Sequence, residues 1–246
     1  MSDGLEPSLA RFYAELAPLL FSEASVAQIE DRLGPSASGA DNLDFYRELV
    51  GRNTSKILGE LFSPVRALCD RLHPGLWSQL LVEYGRSHRG DARDPNWFGE
   101  HFSTFLATRR EQGAEQSPLL EELADYVFCR FVASTAADEF SGDDPVGFEQ
   151  RLFVRLYTAA IPELLAALRK DPEDAAIPEG QPSTVLIFRH WRERSGHGVR
   201  WHRPDLAQLA ALARRQGLAL PPAMAALGEN AIDQGLATLV RIGVLG

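Results

Sequence analysis

Four dipeptides divide the first part of the chain into helical segments, because in each a helix-capping residue directly precedes a proline. They are Ser63-Pro64, Asp94-Pro95, Ser117-Pro118 and Asp144-Pro145. The side chains of Ser and Asp accept hydrogen bonds from the exposed N–H groups of a helix start. The fixed φ and missing N–H of proline suit the first helical position. The sequence therefore predicts a mainly α protein.

Apolar residues at three- and four-residue steps mark the individual helices. They predict a helix over 5–20, a second over 41–62 that Asp41 caps, and a long helix over 145–169. Pro162 should kink or divide the last of these. Further helices are expected over 64–72, 77–84, 95–106 and 118–131. We interpret this region as a helical bundle.

The last quarter of the chain is different, because it is rich in β-branched and aromatic residues. Thr184–Trp191 has the composition of a strand, Ser195–Gly198 can turn with positive φ, and Val199–His202 resumes an alternating pattern. Apolar residues at helical spacing then mark three short helices, beginning near 206, 221 and 231. A β-hairpin with three short helices outlines a small winged-helix-like module.

A stretch with three prolines among acidic and small residues separates the two regions and is typical of a linker. We therefore predict a helical domain over 1–170, a linker over 171–182 and an α+β domain over 183–246. The charge changes at the same place. Residues 183–246 carry eight arginines and four acidic residues, a net charge of +4, whereas residues 1–182 carry −13. This asymmetry indicates either different partners or simply two solvated surfaces.

The sequence predicts a cytoplasmic protein without a membrane partner. No apolar run approaches the roughly 20 residues that cross a bilayer, and the N-terminus lacks the basic start and apolar stretch of a signal peptide. Cys69 and Cys129 lie in separate helical patterns, which favours buried free thiols over a disulfide framework.

Motifs that carry chemistry are absent from the sequence. It has no glycine-rich phosphate loop, no paired-cysteine zinc pattern, no His-Glu-x-x-His and no nucleophile-elbow serine. His190, His197 and His202 form the only local histidine cluster, but a strand position and a turn position do not make a recognisable ligand set. We predict no catalytic residue, no metal ligand and no cofactor in this chain, which favours a binding protein over an independent enzyme.

Several segments together resemble a known helical family. Residues 45–53 (FYRELVGRN) and 61–68 (LFSPVRAL) are similar to its Tyr-Arg…Asn and Phe-Pro-x-Val signatures. Residues 97–106 and 118–124 resemble its Gly-x-x-Phe-x-x-Phe-Leu and Pro-x-Leu-x-x-Leu-Ala segments. Residues 185–189 and 217–224 resemble its strand and its Gly-x-x-Leu positions. The family is typified by HvfC and BufC, carries the label of a DNA-binding domain, and is related to the MbnC and TglI proteins.

The resemblance implies a fold and a function. Such proteins are partner subunits of multinuclear non-haem iron oxidative (MNIO) enzymes, which modify side chains of ribosomally made peptides. The iron is expected in the partner enzyme. The small domain then corresponds to a winged-helix-like recognition element for the leader part of the precursor peptide, and the helical domain remains to dock the enzyme.

An extended peptide can add to an open strand edge through main-chain hydrogen bonds, while side chains of one face provide selectivity. The predicted peptide-binding residues are Val185, Ile187, Arg189, Trp191, Arg200 and Trp201. The arginines could attract an acidic leader or merely cover apolar surface with their stems. The alternative function is a winged-helix DNA-binding regulator, which the single arginine of the last helix disfavours because phosphate contacts need several basic groups.

Overall fold

The computed structural model of the chain describes residues 25–35, 39–88, 95–135, 151–178, 180–190 and 198–246. The protein is mainly helical with one three-stranded antiparallel sheet, which confirms the predicted fold class at that level. The chain divides into two compact units, residues 1–121 and residues 122–246. Among the described ranges, no helix combines the length and the apolar character that a membrane span requires.

The first unit consists of helices. They are α1 (Val26–Leu33), α2 (Ala40–Leu61), α3 (Ser63–Leu72), α4 (Leu76–Ser87), a 3-10 helix (Pro95–Gly99), α5 (Phe102–Glu111) and the start of α6 (Pro118–Thr135). Ser25 caps α1 in a reciprocal capping box with Gln28. The prediction that Asp41 caps α2 is wrong, because the helix starts one residue earlier and Gly39 is the capping residue. The helix predicted over 5–20 lies outside the described residues.

Aromatic rings fill the core of this unit. The Phe102 ring lies 4.8 Å from that of Phe62, 5.8 Å from that of Trp77 and 5.1 Å from that of Tyr84. The buried Tyr84 hydroxyl donates a hydrogen bond to the Phe98 carbonyl, so its polar atom is satisfied. The spacing of these aromatic residues along the helices thus serves packing within the unit.

The second unit combines the rest of α6 with the sheet. Its elements are β1 (Leu152–Tyr157), α7 (Ile161–Lys170), β2 (Ser183–Arg189), β3 (Val199–His202), α8 (Leu206–Arg215), α9 (Pro222–Ala225) and α10 (Glu229–Arg241). The antiparallel pairing of β2 with β3 and the three following helices confirm these predicted elements, while most of the predicted turn, residues 195–197, lies outside the described residues. The single helix predicted over 145–169 is wrong, because part of it is a strand and Pro162 marks the first turn of a new helix.

The sheet has the order β1-β2-β3, and both pairs are antiparallel. One of its faces packs on α8 and α10, where Leu186 and Phe188 join a buried cluster with Ile232 and Leu239. The other face meets α6. β1 precedes the linker predicted over 171–182 and β2 follows it, yet the two strands pair in one sheet. The segment therefore connects α7 to β2 within a single unit. The compact units divide at residue 121 instead.

Candidate functional site

Strand β2 lies in the centre of the sheet, where most of the predicted peptide-binding residues are found. β1 pairs with one of its edges and β3 with the other, so its main-chain groups are already used. Val185, Ile187 and Arg189 are buried. The sequence does not determine which hairpin strand has the open edge; in the structure β2 has none, since the outer edges belong to β1 and β3. Trp191 lies outside the described residues.

The buried residues of β2 hold the sheet against α6. Arg189, only 3% exposed, donates a hydrogen bond of 3.2 Å to the carbonyl of Ser134 in the last turn of that helix. The carbonyls at a helix C-terminus lack partners within the helix and carry partial negative charge, which a guanidinium stabilises. Val185 and Ile187 share this face of the strand by alternation. We therefore assign all three residues to packing.

Among the described residues, none pairs with the main-chain groups on the outer edge of β3. The N–H of His190 donates to the carbonyl of Gly198 at 3.1 Å, and the register opposes Phe188 to Arg200. Because antiparallel pairs alternate, the main chain of Arg200 faces β2, whereas the N–H and C=O of Val199 and Trp201 face away from the sheet. Within the part of the chain that the structure describes, no main-chain hydrogen bond reaches these outward groups.

Two predicted site residues, Arg200 and Trp201, lie exposed on this edge. Trp201 is 38% exposed, and the guanidinium of Arg203 lies 5.2 Å from its ring centroid. Arg203 in turn makes two contacts with the Glu163 carboxylate, of 2.6 and 2.8 Å. A cation held over an indole contributes about 0.5–1 kcal/mol at an exposed site. The arrangement orients the ring of a side chain that is partly exposed.

The end of β3 is fixed to the start of α8. The Asp205 side chain accepts from the Gln208 N–H at 2.8 Å, and the Gln208 Oε1 accepts from the Asp205 N–H at 3.2 Å. The same Oε1 lies 2.8 Å from Nε2 of His202. This oxygen accepts a hydrogen bond from His202 in the tautomer that carries a proton on Nε2. The capping box thus positions β3 relative to the helices.

A polar cluster supports the opposite edge of the sheet. The Asp125 carboxylate on α6 accepts from the Tyr157 hydroxyl at 2.7 Å and from Arg155 Nε at 3.1 Å. Burial and then the negative charge of Asp125 raise the pKa of Tyr157, so the phenol stays protonated and donates. Burial also raises the pKa of the nearby Cys129 thiol to about 12. These groups brace the sheet rather than form a reactive site.

Within the described ranges, no three His, Cys, Asp or Glu side chains lie close enough to hold one metal ion. Of the three clustered histidines, His197 lies outside those ranges and His202 binds Gln208. His190 packs against the main chain of Gly243, whose φ of +81° and missing Cβ permit the close approach. The histidines that can be placed therefore have local packing or hydrogen-bonding roles.

Sequence reasoning missed two parts of the β3 edge. It named Trp201 but not the Arg203–Glu163 pair that orients it, although residues two apart on a strand share a face. It also did not identify Val199 as one of the two residues with outward main-chain groups, because that depends on the pairing phase with β2.

No protein-family model matches the chain, and no curated protein matches it. The β3 edge combines the outward N–H and C=O groups of Val199 and Trp201 with the aromatic ring of Trp201 and the cation of Arg203.

Proposed function

We propose that the protein binds an extended peptide as a fourth strand along the outer edge of β3. The observation that carries the proposal is the outward orientation of the main-chain groups of Val199 and Trp201. An antiparallel or parallel peptide strand can use these groups for main-chain hydrogen bonds without any change in the sheet. Such bonds supply affinity that does not depend on the peptide sequence.

The side chains of β3 supply the selectivity. Trp201 is a partly exposed aromatic residue, and residues of this type dominate the energetics of binding surfaces. Arg200 lies exposed on the other face of the strand. A nearby positive charge favours an acidic peptide and mainly increases the rate of encounter. We therefore expect an acidic peptide with an apolar or aromatic residue opposite Trp201.

The order of elements supports a recognition module of the winged-helix-like type. A three-stranded sheet precedes the three helices α8, α9 and α10, which pack on one of its faces. The sequence resemblance to HvfC and BufC supports the finer proposal that the peptide is the leader of a ribosomally made precursor. On this proposal the chain presents the precursor to an MNIO enzyme, which supplies the iron and the oxidative chemistry, while this chain is non-catalytic.

The helical unit has a surface suited to an enzyme partner. Phe45 and Tyr46 on α2 are each 57% exposed, with their rings edge to face at 6.2 Å. Leu49 on the same helix is also exposed. Exposed aromatic residues in a group are typical of protein interfaces. We assign this surface, Phe45–Tyr46–Leu49, to contact with the enzyme.

The DNA-binding alternative receives less support from α10, the helix that would enter the major groove. Its first turn carries Glu229, whose carboxylate pairs with Arg214 at the surface. The N-terminal residues of a recognition helix contact base edges between rows of phosphates, where a carboxylate is repelled. Peptide binding is the function that the described geometry supports best.

Selection from a displayed library of random peptides of about twelve residues tests the proposal, because it needs no knowledge of the natural ligand. The immobilised full chain should enrich acidic peptides. Trp201→Ala should weaken their binding by at least about tenfold, and Arg200→Glu should lower the association rate. Arg215→Glu makes the same charge change at an exposed helix position and should leave binding unchanged. Equal binding by all variants would refute the β3 site.

Co-expression tests the enzymatic context separately. The chain would be produced with an MNIO enzyme and the small peptide encoded beside its gene, and the peptide mass would be measured. We expect co-purification and an oxidised or rearranged peptide only when this chain is present. Tyr46→Lys should abolish co-purification of the enzyme but keep peptide binding. Steeply salt-dependent binding to arbitrary duplex DNA, without any peptide complex, would favour the regulator.

A further inference from the structure

The other outer strand, β1, likewise has an edge with which no strand of the described ranges pairs. In the register of β1 with β2, Arg155 lies opposite Val185. The alternation of hydrogen-bonded pairs between β2 and β3 leaves the main chain of Val185 facing β1. By alternation, the N–H and C=O groups of Leu152, Val154 and Leu156 therefore face away from the sheet. No main-chain hydrogen bond from another described residue reaches them.

The side chains on this edge are apolar and exposed. Val154 is 44% exposed, and Leu156, at 73%, has the highest exposure of the large apolar side chains in the described ranges. Both share a face with Leu152, which belongs to the buried cluster under α8 and α10. Natural sheets usually protect an outer edge with charged residues, proline or a covering element. On this face the edge residues of β1 are all aliphatic. The buried apolar cluster at Leu152 is therefore continuous with the exposed apolar surface of Val154 and Leu156.

We propose that β1 binds β1 of a second copy of this chain, antiparallel, with a two-fold axis at Val154. An antiparallel strand pair of identical sequences is self-complementary by symmetry, as a two-fold interface requires. In this register Val154 opposes its own copy and Leu156 opposes Leu152 of the second copy, so every outward group of β1 pairs with an outward group. Up to about six main-chain hydrogen bonds result.

The charge pattern selects this register over its nearest competitor. With the axis at Val154, Arg155 opposes Phe153 of the second copy, and within one chain the Arg155 guanidinium already lies 5.3 Å from the Phe153 ring centroid. The same cation–aromatic contact can thus form across the axis. A shift of the axis to Arg155 would oppose two arginines directly, which is destabilising, and would allow only about four main-chain hydrogen bonds between the outward groups.

One outward group of β1 already makes a local contact that the dimer must accommodate. Nη1 of Arg155 lies 3.3 Å from the carbonyl of Val154. A carbonyl oxygen has two lone pairs, so it can accept from the second copy's N–H as well. Because β1 and β3 are opposite edges, dimerisation leaves the β3 edge unchanged. The inference does not depend on the proposed function.

Sedimentation of the full chain between about 1 and about 100 μM tests the proposal, because dimerisation depends on concentration. We expect a monomer–dimer equilibrium. Val154→Pro removes an outward N–H while the hydrogen bonds between β1 and β2 remain. Leu156→Lys places a charge opposite Leu152 of the second copy. Each should shift the equilibrium to monomer by tenfold or more. Leu218→Lys, at a residue 58% exposed outside the sheet, is the matched control and should leave it unchanged.

Cysteine cross-linking tests the register. Val154→Cys should form a disulfide-linked dimer under mild oxidation, because opposed residues of such a pair have Cα atoms about 5.5 Å apart. Leu156→Cys should not, because its two copies would lie about 13 Å apart along the strands. A wild-type chain that stays monomeric over the whole range overturns the proposal, as does a dimer that survives both Val154→Pro and Leu156→Lys. A monomer whose β1 edge is protected by added peptide would assign the edge to peptide instead.

Discussion

Gly235 lies where α10 crosses α8 at close range, and a single methyl group there tests how tightly the two helices pack. A Cβ at this position would meet the carbonyl carbon and oxygen of Ala207 at 2.7 Å and the amide nitrogen of Gln208 at 2.9 Å. Carbon atoms normally approach to about 3.5–4.0 Å, so the helices would have to separate by about 1 Å. All three atoms belong to the main chain, and no side-chain rotation can relieve the clash.

Gly235→Ala should therefore destabilise the second unit. Overpacking of a core costs about 1–3 kcal/mol, and the separation also opens the contact of α8 and α10 with the buried face of the sheet. Alanine gains about 1 kcal/mol over glycine in a helix interior, so we expect a net loss of about 1 kcal/mol. Alanine at this position should thus lower the stability of the unit, although alanine is intrinsically favoured over glycine in a helix.

Gly85→Ala provides the matched control. Gly85 lies within α4, and a Cβ there would meet no atom within 4 Å, so this variant should gain about 0.5–1 kcal/mol. Hydrogen exchange followed by mass spectrometry reports each unit separately, because peptides from α8 and α10 measure local opening. Faster exchange in those peptides is expected for Gly235→Ala alone. Unchanged or slower exchange in Gly235→Ala would refute the close-packing argument.

Three further predictions concern buried or hydrogen-bonded groups. Cys69 and Cys129 are buried, and burial raises the pKa of each thiol to about 12, so neither should react with a thiol reagent at pH 8 until urea unfolds the chain. A hydrogen bond from Arg109 lowers the pKa of Glu83. The stability that this bond contributes is present above the pKa of Glu83 in the unfolded chain and is lost as the pH falls through its pKa in the folded chain. Glu83→Gln should therefore flatten the acid dependence of the melting temperature. Asp125→Ala leaves the buried Tyr157 hydroxyl without its acceptor and should cost about 1–3 kcal/mol, more than Tyr157→Phe, as urea denaturation would show.

The helical part of the fold was predictable because its signals are local. Ser117 illustrates this: its Oγ accepts from the Leu119 N–H at 3.3 Å, as the Ser-Pro pattern predicts for a helix start. The turn residues and alternating pattern of 195–202 likewise predicted β3 correctly. In each case the residues that determine the structure lie within one or two turns of each other.

Strand β1 was not predicted because its apolar spacing is ambiguous. Residues four apart share a face in a helix and also in a strand, so Leu152 and Leu156 fit both structures. The distinguishing signal is the second alternating set, Phe153, Arg155 and Tyr157, together with the proline that begins α7. The pairing partner of β1 lies about thirty residues later, which no local pattern reveals.

The candidate site was predictable only in part, for a related reason. The continuous apolar run from Val185 to Phe188 is typical of a strand buried on both faces, and it marks β2 as central. Which strand forms the outer edge, however, depends on the partner that β1 supplies. Arg200 and Trp201 lie on the outer strand β3, and their role in binding stays a prediction, whereas Val185, Ile187 and Arg189 were assigned to binding although they are buried.

Amide exchange along β3 tests the central claim most directly. A peptide from the library selection would be added to the full chain, and exchange would be followed by NMR at Val199, Trp201, Arg200 and Val154. We predict that the peptide slows exchange at Val199 and Trp201, whose N–H groups face outward, and leaves Val154 on β1 unchanged. Arg200 already faces β2 and should change less. Slowed exchange at Val154, or no change anywhere on β3 while the peptide is bound, would contradict a peptide site at this edge.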